Sequence, residues 1–415
     1  MLHPATPPRA ATRIAAFTAT SCVGAGNAAL FDALASGRSG LAPCRFDDVT
    51  LPTWIGQVPG VDDERLAPAL AAYDCRNNRL AQLGLRQDGF EAAIERLASR
   101  YGTRRIGVFV GTSTSGMLQL ELAYRRRDAD TGALPADFQY ATTHNTASLA
   151  RFIRLRHGLR GPAFVISTAC SSGAKAHASA QRAIDAGLID AALVGAVDSL
   201  CLTTLYGFAS LELLAETPCK PWDQHRSGLS LGEAAAFVLL ERSGEIEADS
   251  PYLTGCGESS DAHHMSSPCP DGAGAEAAMR QALAAAGLQP ADIDYLNLHG
   301  TATPSNDRAE DAAAAAVFAG QVPVSSTKGT HGHALGAAGA LEAVVALLCL
   351  REGLMPGGRN VETPDPALSS PYLLHSRRQP LQRVMSNSFG FGGSNCSLIF
   401  ERGAAIAARA TEQRA

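Results

Sequence analysis

The sequence lacks the features that mark several large protein classes. Its ten cysteines are scattered and form no C-x-x-C pair, which argues against a disulfide framework or a zinc ribbon and favours a reducing cytosol. It carries no P-loop and no H-E-x-x-H motif. Only 18% of its residues are charged and the net charge is −5, so general nucleic-acid binding is not expected.

Long hydrophobic runs are also missing. The most apolar stretch, 336–350, contains Glu342 and is too short to span a bilayer. The N-terminus, M-L-H-P-A-T-P-P-R, is polar and rich in proline, which argues against a signal peptide. We therefore expect a cytoplasmic protein with no membrane span.

What is present suits a compact α/β protein. The chain has 415 residues, 46% of them hydrophobic, and 40 glycines, enough for a substantial core. Apolar runs that suit strands alternate with segments of helical periodicity, which predicts helices covering a mixed sheet. We expect a loose leader at 1–12 and a frayed tail at 403–415.

The order of predicted elements occurs twice. A strand, a special turn and an alanine-rich helix appear once around Cys170 and once around 328–333. This parallel indicates an internal duplication. The polar segment 244–251 separates the halves, so we place an N-terminal half at 1–247 and a C-terminal half at 248–415.

Cys170 is a candidate nucleophile in the first half. Residues 163–168 read as a buried strand, and a helix is predicted from Ser171 to a stop at Gly187. A cysteine at this strand-to-helix turn would lie at the positive end of the helix dipole, which favours a thiolate. A small buried cysteine that only fills space is the alternative, and position alone does not decide between them.

Three further polar stretches could join it. His299 follows a predicted strand in L-H-G-T-A-T-P, and Lys328, His331 and His333 lie in the glycine-rich turn S-T-K-G-T-H-G-H. Strand ends are where open α/β sheets place their sites. Two histidines two residues apart could ligate a metal, but no third ligand lies at a recognised spacing, so catalysis is preferred.

The third stretch, M-S-N-S-F-G-F-G-G-S-N-C-S from Met385, has glycines around Phe391. Such a loop can aim a backbone N–H at an oxyanion or move an aromatic side chain like a gate. A β-turn between strands is the simpler alternative.

Together these motifs resemble the β-ketoacyl-acyl-carrier-protein synthases, the elongating condensing enzymes of the thiolase-like superfamily. The resemblance rests on four motifs in the family's order: T-A-C-S-S-G at Cys170, H-G-T-A-T-P from His299, K-x-x-x-G-H from Lys328 and N-S-F-G-F-G-G-S-N from Asn387. It covers nearly the whole chain. It implies a thiolase-like fold in which two duplicated halves form five layers, αβαβα, with mixed sheets.

The resemblance also implies roles for individual residues. Cys170 would accept the acyl chain, and His299 and His333 would support loss of carbon dioxide from a malonyl thioester. The N–H groups of Cys170 and Phe391 would form the oxyanion hole, with Phe391 as the gate. Further implied site residues are the charge pair Lys328 and Glu342, the gate residues Phe389, Gly390 and Gly392, the phosphopantetheine contacts Thr301 and Thr303, and Ser266 and His264 of a second loop.

Some positions depart from the family's common pattern. Thr114 stands where we expect an apolar residue lining the acyl pocket, and Ser227 replaces an aspartate. The segment C-R-N-N-R at 75–79 replaces a more basic stretch. These departures raise the chance of a specialised polyene or polyketide pathway. Arg76 and Arg79 are candidate contacts for an acidic carrier protein, with ordinary surface arginines as the equal alternative.

The resemblance further predicts acyl carrier protein as partner, a homodimer or a heterodimer with a paralogue, and no metal or other cofactor. A non-catalytic chain-length-factor-like partner is the main alternative function, disfavoured because Cys170 is intact. A degradative thiolase would need a late acid/base cysteine, and we interpret Cys396 as a core residue. Initiating synthases are disfavoured because His333 stands where they carry asparagine.

Overall fold

The computed structural model describes residues 11–412, so most of the predicted leader and the last residues of the predicted tail lie outside it. The first half contains the strands β1 (Thr12–Ser21), β2 (Gly24–Ala25), β3 (Ala42–Pro43), β4 (Trp54–Gly56), β5 (Ile106–Gly111), β6 (Ala163–Ile166), β7 (Ala191–Asp198), β8 (Leu231–Gly232) and β9 (Ala234–Arg242). Its helices are α1 (Gly26–Ser36), α2 (Arg76–Leu85), α3 (Phe90–Tyr101), α4 (Met117–Arg125), α5 (Ala147–Arg156), α6 (Ser172–Asp185) and α7 (Leu202–Ser210).

The second half repeats the alternation. Its strands are β10 (Pro251–Ser260), β11 (Tyr295–Asn297), β12 (Val324–Ser325), β13 (Leu354–Met355), β14 (Arg377–Arg378), β15 (Arg383–Gly390) and β16 (Ser394–Arg402). Its helices are α8 (Ala273–Ala286), α9 (Pro304–Phe318), the single turn α10 (Lys328–His331), α11 (Ala338–Glu352) and α12 (Gly403–Glu412). The tail predicted to be frayed therefore forms α12 as far as residue 412.

One mixed sheet runs through both halves in the order β12-β11-β15-β16-β10-β1-β9-β7-β5-β6. Its two five-stranded portions have the same neighbours and the same parallel and antiparallel pairings, β1-β9-β7-β5-β6 matching β10-β16-β15-β11-β12. Within residues 11–412, the two portions pair with each other only where Thr12 and Arg13 pair with Leu253 and Tyr252. The predicted α/β class, mixed sheet and duplication are confirmed.

Helices fill the space between and outside the two portions. In the centre, α6 and α11 pack on each other and on strands of both halves, while α2, α3 and α5 cover the first portion and α8 covers the second. Helix α9 packs on α8 in the same outer layer. This stacking gives the five layers that the resemblance implies.

Helix α11 explains the most apolar stretch of the sequence. Every residue of it from Ala338 to Leu350 is buried, because both sheet portions face it. No helix in the described part of the chain is long and apolar enough to cross a membrane.

Two glycines let the central helices touch. A Cβ on Gly173 would lie 2.6 Å from the backbone nitrogen of Ala340, and one on Gly339 would lie 2.7 Å from that of Ala174. Backbone against backbone at this distance leaves no space for a side chain. The crossing brings the start of α6 close to the loop that precedes α11.

The strand predicted to be buried before Cys170 is an edge strand instead. β6 pairs only with β5, and Phe164 is 55% exposed. The apolar, β-branched composition of β6 identifies a strand, but its burial depends on which neighbours the sheet order supplies. This correction leaves an apolar strand edge on the surface of the described chain.

Candidate active site

Cys170 lies in a tight turn between β6 and α6. The preceding residue, Ala169, has a positive φ of 52°, and Cys170 itself is 4% exposed. Hydroxyl groups support the turn: Ser171 Oγ donates to the carbonyl of Thr168 at 2.9 Å, and Ser172 Oγ accepts from the N–H of Thr168 at 2.9 Å. The turn holds Sγ at the N-terminal end of α6.

Both candidate histidines follow strands of the second half. After β11, the N–H groups of His299 and Gly300 donate to the Glu310 carboxylate on α9 at 2.8 and 2.7 Å. After β12 and α10, the N–H of His333 donates to the carbonyl of Ser230 at 2.8 Å. Each imidazole is thus held through its backbone by a neighbouring element.

The structure brings the cysteine and both histidines together. His333 Nε2 lies 3.0 Å from Cys170 Sγ, within hydrogen-bond distance. The rings of His299 and His333 are 5.3 Å apart and nearly perpendicular. One ligand atom from each of the three residues lies within 4.8 Å of the others, and all three residues are buried. The cluster joins a cysteine of the first half to two imidazoles of the second half.

Both imidazoles are held neutral. Burial, followed by the positive charge of Lys328, lowers the pKa of His299 and of His333 well below the ordinary value of 6.5. Lys328 Nζ lies 3.5 Å from His299 Nδ1 and donates to the carbonyl of His299. A neutral imidazole can accept a proton at one nitrogen or donate one from the other. No hydrogen-bond partner fixes His333 Nδ1 among the described residues, so His333 Nε2 can serve in either role.

Lys328 and Glu342 form a fully buried ion pair behind the histidines. Burial raises the pKa of Glu342 to about 7, and Lys328 opposes that rise. Removing one member of such a pair strands the other charge and costs about 3–5 kcal/mol. Lys328 therefore stays close to the ring of His299.

The expected thiolate is not the resting form of Cys170. Burial raises the pKa of its thiol to about 11, although Lys328 and the backbone N–H groups of Phe391 and Cys170 favour the thiolate. At neutral pH the thiol keeps its proton. The 3.0 Å contact then places this proton where His333 Nε2 can accept it.

The sulfur and one nitrogen from each imidazole lie close enough together to be tested as a metal site. Cysteine and histidine are the usual ligands of zinc. The ammonium group of Lys328, 3.5 Å from His299 Nδ1, disfavours a second cation beside it. The described arrangement therefore suits proton transfer better than metal binding.

The glycine-rich loop packs against the cysteine turn. A Cβ on Gly390 would lie 2.7 Å from the carbonyl oxygen of Thr168, so only glycine fits there. The ring of Phe391 stacks on Phe208 of α7 at 5.4 Å. The N–H of Gly392 donates to the carbonyl of Met265 at 2.8 Å, which links this loop to the second loop.

A cavity opens onto this cluster. Its lining includes many of the predicted residues, namely Cys170, His299, His333, Thr301, Thr303, Ser266, Phe389, Gly390 and Phe391. The hydroxyls of Thr301 and Thr303 lie 2.9 Å apart. Lys328, Glu342, Gly392 and His264 are not among the lining residues, and His264 is exposed with Nδ1 accepting from the N–H of Ser266 at 3.2 Å.

The structure places the remaining predicted site residues away from this cavity. Thr114 does not line this cavity, because Asp198 accepts a hydrogen bond from its hydroxyl at 2.9 Å. Arg76 is buried and pairs with Glu233 at 2.6 Å, so it cannot meet a carrier protein on the surface. Arg79 is partly exposed but pairs with Asp74.

Sequence reasoning missed several residues around the cluster. Phe208, Leu213 and Leu229 give the cavity an apolar side, and nothing in their local pattern marks them. Asp198 was detectable, since it ends a buried strand as a lone carboxylate. So was Glu310, an acidic residue on the buried side of a predicted helix.

Comparisons with known proteins agree with this geometry. The family described as "Beta-ketoacyl synthase, N-terminal domain" matches residues 79–245, and "Beta-ketoacyl synthase, C-terminal domain" matches residues 252–362. A 3-oxoacyl-[acyl-carrier-protein] synthase 2 from Coxiella burnetii is 34% identical over 404 residues, covering 90% of this chain and 94% of that protein. Nodulation protein E from Rhizobium meliloti is 37% identical over 310 residues, 72% of this chain and 76% of that protein.

A solved structure is similar over almost the full length. It is a ketosynthase in complex with its chain length factor from Xenorhabdus doucetiae, with a TM-score of 0.85 and 35% sequence identity. The alignment covers 97% of this chain and 100% of that one.

Proposed function

The chain belongs to the β-ketoacyl synthase family, and from this premise we propose that it joins an acyl group held on Cys170 to malonyl-acyl-carrier protein in chain elongation. The observation that carries the proposal is the 3.0 Å contact between Cys170 Sγ and His333 Nε2, with His299 beside them in one cavity. A cysteine paired with a base suits thioester exchange. The product is β-ketoacyl-acyl-carrier protein, with release of carbon dioxide.

The first half-reaction loads the enzyme. His333 Nε2 accepts the thiol proton as Sγ attacks the carbonyl carbon of an acyl thioester. The bond to the carrier's sulfur breaks, and that sulfur leaves with the proton as a thiol. Because the pKa of Cys170 is raised to about 11, this proton transfer must accompany the attack at neutral pH.

The second half-reaction forms the carbon–carbon bond. The malonyl thioester loses carbon dioxide, and the electron pair moves onto its carbonyl oxygen as an enolate. Hydrogen bonds from neutral imidazoles at His299 and His333 stabilise this oxygen. The enolate carbon attacks the acyl carbonyl, the C–S bond breaks, and Sγ leaves as a thiolate that takes a proton from solvent.

The backbone N–H groups of Cys170 and Phe391 support the oxyanion-hole assignment. Both favour negative charge at Sγ, so they would also stabilise the charge that develops on an acyl carbonyl bound to it. The stack of Phe391 on Phe208 supports its assignment as a gate, since the ring must leave Phe208 to admit an acyl chain.

We further propose that the substrates arrive on the phosphopantetheine arm of an acyl carrier protein. The hydroxyls of Thr301 and Thr303 and the side chain of Ser266 line the cavity and offer hydrogen bonds to such an arm. The proposed reaction balances in atoms and electrons without a metal or redox cofactor. Of the predicted docking residues only Arg79 keeps partial exposure.

The exposed edge of β6 supports a second protomer as partner. An unpaired strand edge with Phe164 exposed is suited to pairing with another chain. The similar ketosynthase from Xenorhabdus doucetiae was solved with its chain length factor. We propose a dimer through this edge, either with a second copy or with a paralogue, and native mass spectrometry of the purified chain distinguishes the two.

A Cys170→Ala variant tests the function. Incubated with a panel of acyl-carrier proteins, the natural chain should gain one acyl group on Cys170 by mass spectrometry, and the variant none. Cys396→Ala is the matched control, since Cys396 is a fully buried cysteine of β16. Loss of condensation in the control alone would favour a thiolase, and acylation of the Cys170→Ala chain would place the nucleophile elsewhere.

A further inference from the structure

A buried carboxylate that the proposed mechanism does not use lies beside the catalytic cluster. Asp198 ends β7 and is fully buried. Its oxygens accept from the hydroxyl of Thr112 at 2.7 Å, the N–H of Ser113 at 2.8 Å, and both the N–H and the hydroxyl of Thr114 at 2.9 Å. The N–H of Gly336 donates to it at 2.7 Å. Burial raises the pKa of Asp198, and the hydrogen bonds from Thr112, Ser113 and Thr114 oppose that rise and favour the carboxylate.

These partners come from opposite sides of the duplication. Residues 112–114 follow β5 in the first half, whereas Gly336 lies three residues after His333 in the second. A Cβ on Gly336 would lie 2.5 Å from Ser113 Oγ and 2.8 Å from Asp198 Oδ2. The hydrogen bond from Gly336 to Asp198 therefore holds the His333 loop against the first half, with no space left for a side chain at Gly336.

The His333 segment is held at two points. At its start, the N–H of His333 donates to the carbonyl of Ser230 at 2.8 Å, and the N–H of Gly232 donates to the carbonyl of His333 at 2.9 Å. At its end, Gly336 is bound to Asp198. Between them Leu335 adopts a positive φ of 50°, a conformation that needs support on both sides.

Asp198 also acts on Cys170 through its charge. Burial raises the pKa of the Cys170 thiol most, the Asp198 carboxylate from β7 adds to that rise, and the Lys328 ammonium from α10 opposes it. The two imidazoles lie within 4.8 Å of Sγ. Asp198 and Lys328 oppose each other at one sulfur.

We propose that Asp198 is a positioning residue for the elongation reaction, holding the His333 loop against the first half beside Cys170. This inference rests on the proposed function. It assigns Asp198 no contact with the substrate. It predicts separate effects of its hydrogen bonds and of its charge.

Two variants separate these effects. Asp198→Asn keeps the shape but removes the charge, and its amide nitrogen would face N–H donors. Thr114→Val removes one hydroxyl donor and keeps the charge. The matched control is Glu241→Gln, because Glu241 is a buried carboxylate at the opposite end of the same strands, where it faces Ala191 of β7.

Alkylation of Cys170 by iodoacetamide as a function of pH reports the charge. Each unit by which the pKa falls raises the rate about tenfold at any pH well below the midpoint. Asp198→Asn should therefore react faster than the natural chain at pH 8, while Thr114→Val and Glu241→Gln keep the natural profile. A role in folding alone would not move this profile.

Decarboxylation of malonyl-acyl-carrier protein reports the position of His333. We expect a loss approaching roughly 10²-fold in Asp198→Asn, since small displacements of a catalytic group have effects of this size. Thr114→Val should lose less, and Glu241→Gln should match the natural chain. A folded Asp198→Asn chain with natural alkylation and decarboxylation overturns the proposal.

Two further outcomes are decisive. If Asp198→Asn does not fold, Thr114→Val decides: slower decarboxylation with an unchanged alkylation profile supports the proposal, and natural rates in both assays overturn it. If the natural chain alkylates at Cys170 but neither decarboxylates nor condenses, the proposed function fails and the positioning role fails with it. Alkylation needs no substrate, so the two failures are distinguishable.

Discussion

The two halves share one strand order but place different chemistry at the same strand ends. In the first half, the parallel strands β5, β6 and β7 lead to Thr112, Cys170 and Asp198. In the second, the matching strands β11, β12 and β15 lead to His299, the Lys328–His333 segment and Phe391. One half supplies the proposed nucleophile and a ring of hydrogen-bond partners, and the other supplies both proposed bases, the buried cation and the proposed gate.

This division follows from the geometry of the duplication. The crossing of α6 and α11 at Gly173 and Gly339 brings the two sets of strand ends together in the middle of the molecule. A nucleophile and its bases need different surroundings: the thiol a helix N-terminus, the imidazoles a dry site near a positive charge. Two copies of one scaffold can meet both needs, because each copy varies its loops independently.

The largest effect on the reaction rates is expected from replacing the two histidines. Comparing the two variants tests whether the imidazoles act in different steps. His333 contacts Sγ, so His333→Ala should slow both self-acylation and malonyl decarboxylation. His299 makes no hydrogen bond to Sγ in the described part of the chain, so His299→Ala should slow decarboxylation by about 10²–10³-fold and leave self-acylation largely intact. Acylation by mass spectrometry and carbon dioxide release measure the two steps.

His331→Gln is the control for this pair. His331 lies in the same segment and is buried, yet it does not line the cavity. Its replacement should change both rates by a common factor if it changes them at all. Equal losses of both steps in His299→Ala would contradict the division of labour between the imidazoles.

A feature of this site can be predicted from the sequence when the residues that cause it are adjacent in the chain. The strand before Cys170, the helix after it and the four motifs are written in adjacent residues, and the duplicated fold follows from their order. The exposure of Phe164 cannot be predicted in this way, because it arises from the position of β6 at the edge of the sheet. Sequence periodicity reports the type of an element, not its neighbours.

Thr114 and Arg76 show the same limit for side chains. Thr114 turns away from the cavity because Asp198, 84 residues later, accepts its hydroxyl. Arg76 is buried because Glu233, 157 residues later, is buried beneath it. Each partner is a single charged residue without a motif, so the sequence offers no local sign of the contact.

A smaller effect is expected at the crossing of the central helices, where the halves are most alike. Gly173→Ala and Gly339→Ala each place a Cβ within 2.7 Å of the backbone of the other central helix, so the two helices must separate. We expect each to lower the free energy of unfolding by about 1–3 kcal/mol, as overpacking does. Urea denaturation measures the loss, and comparable values for the two variants would reflect the symmetry of the crossing.

Gly207→Ala is the matched control for these variants. Gly207 lies within α7, and a Cβ there meets nothing within 4 Å. Alanine in a helix interior should raise stability by about 0.5–1 kcal/mol relative to glycine. A loss at Gly207 equal to that at Gly173 and Gly339 would mean that the crossing is not specially tight.

The smallest effect is expected at the stack of Phe208 on Phe391, the proposed gate, where the two halves are in contact. Phe208 belongs to the first half and Phe391 to the second, and a stacked pair of this kind contributes about 0.5–1.5 kcal/mol. Phe208→Ala should release the ring of Phe391 and raise the rate of Cys170 alkylation by a bulky maleimide by about tenfold or less. Iodoacetamide, which is small, should gain less, so the ratio of the two rates reports gate opening rather than thiol reactivity.

Phe109→Ala, which removes a phenylalanine from the aromatic pair with Phe164 on β5 and β6, is the control. An unchanged ratio in Phe208→Ala would show that Phe391 is held closed by its own glycine-rich loop and not by contact between the halves.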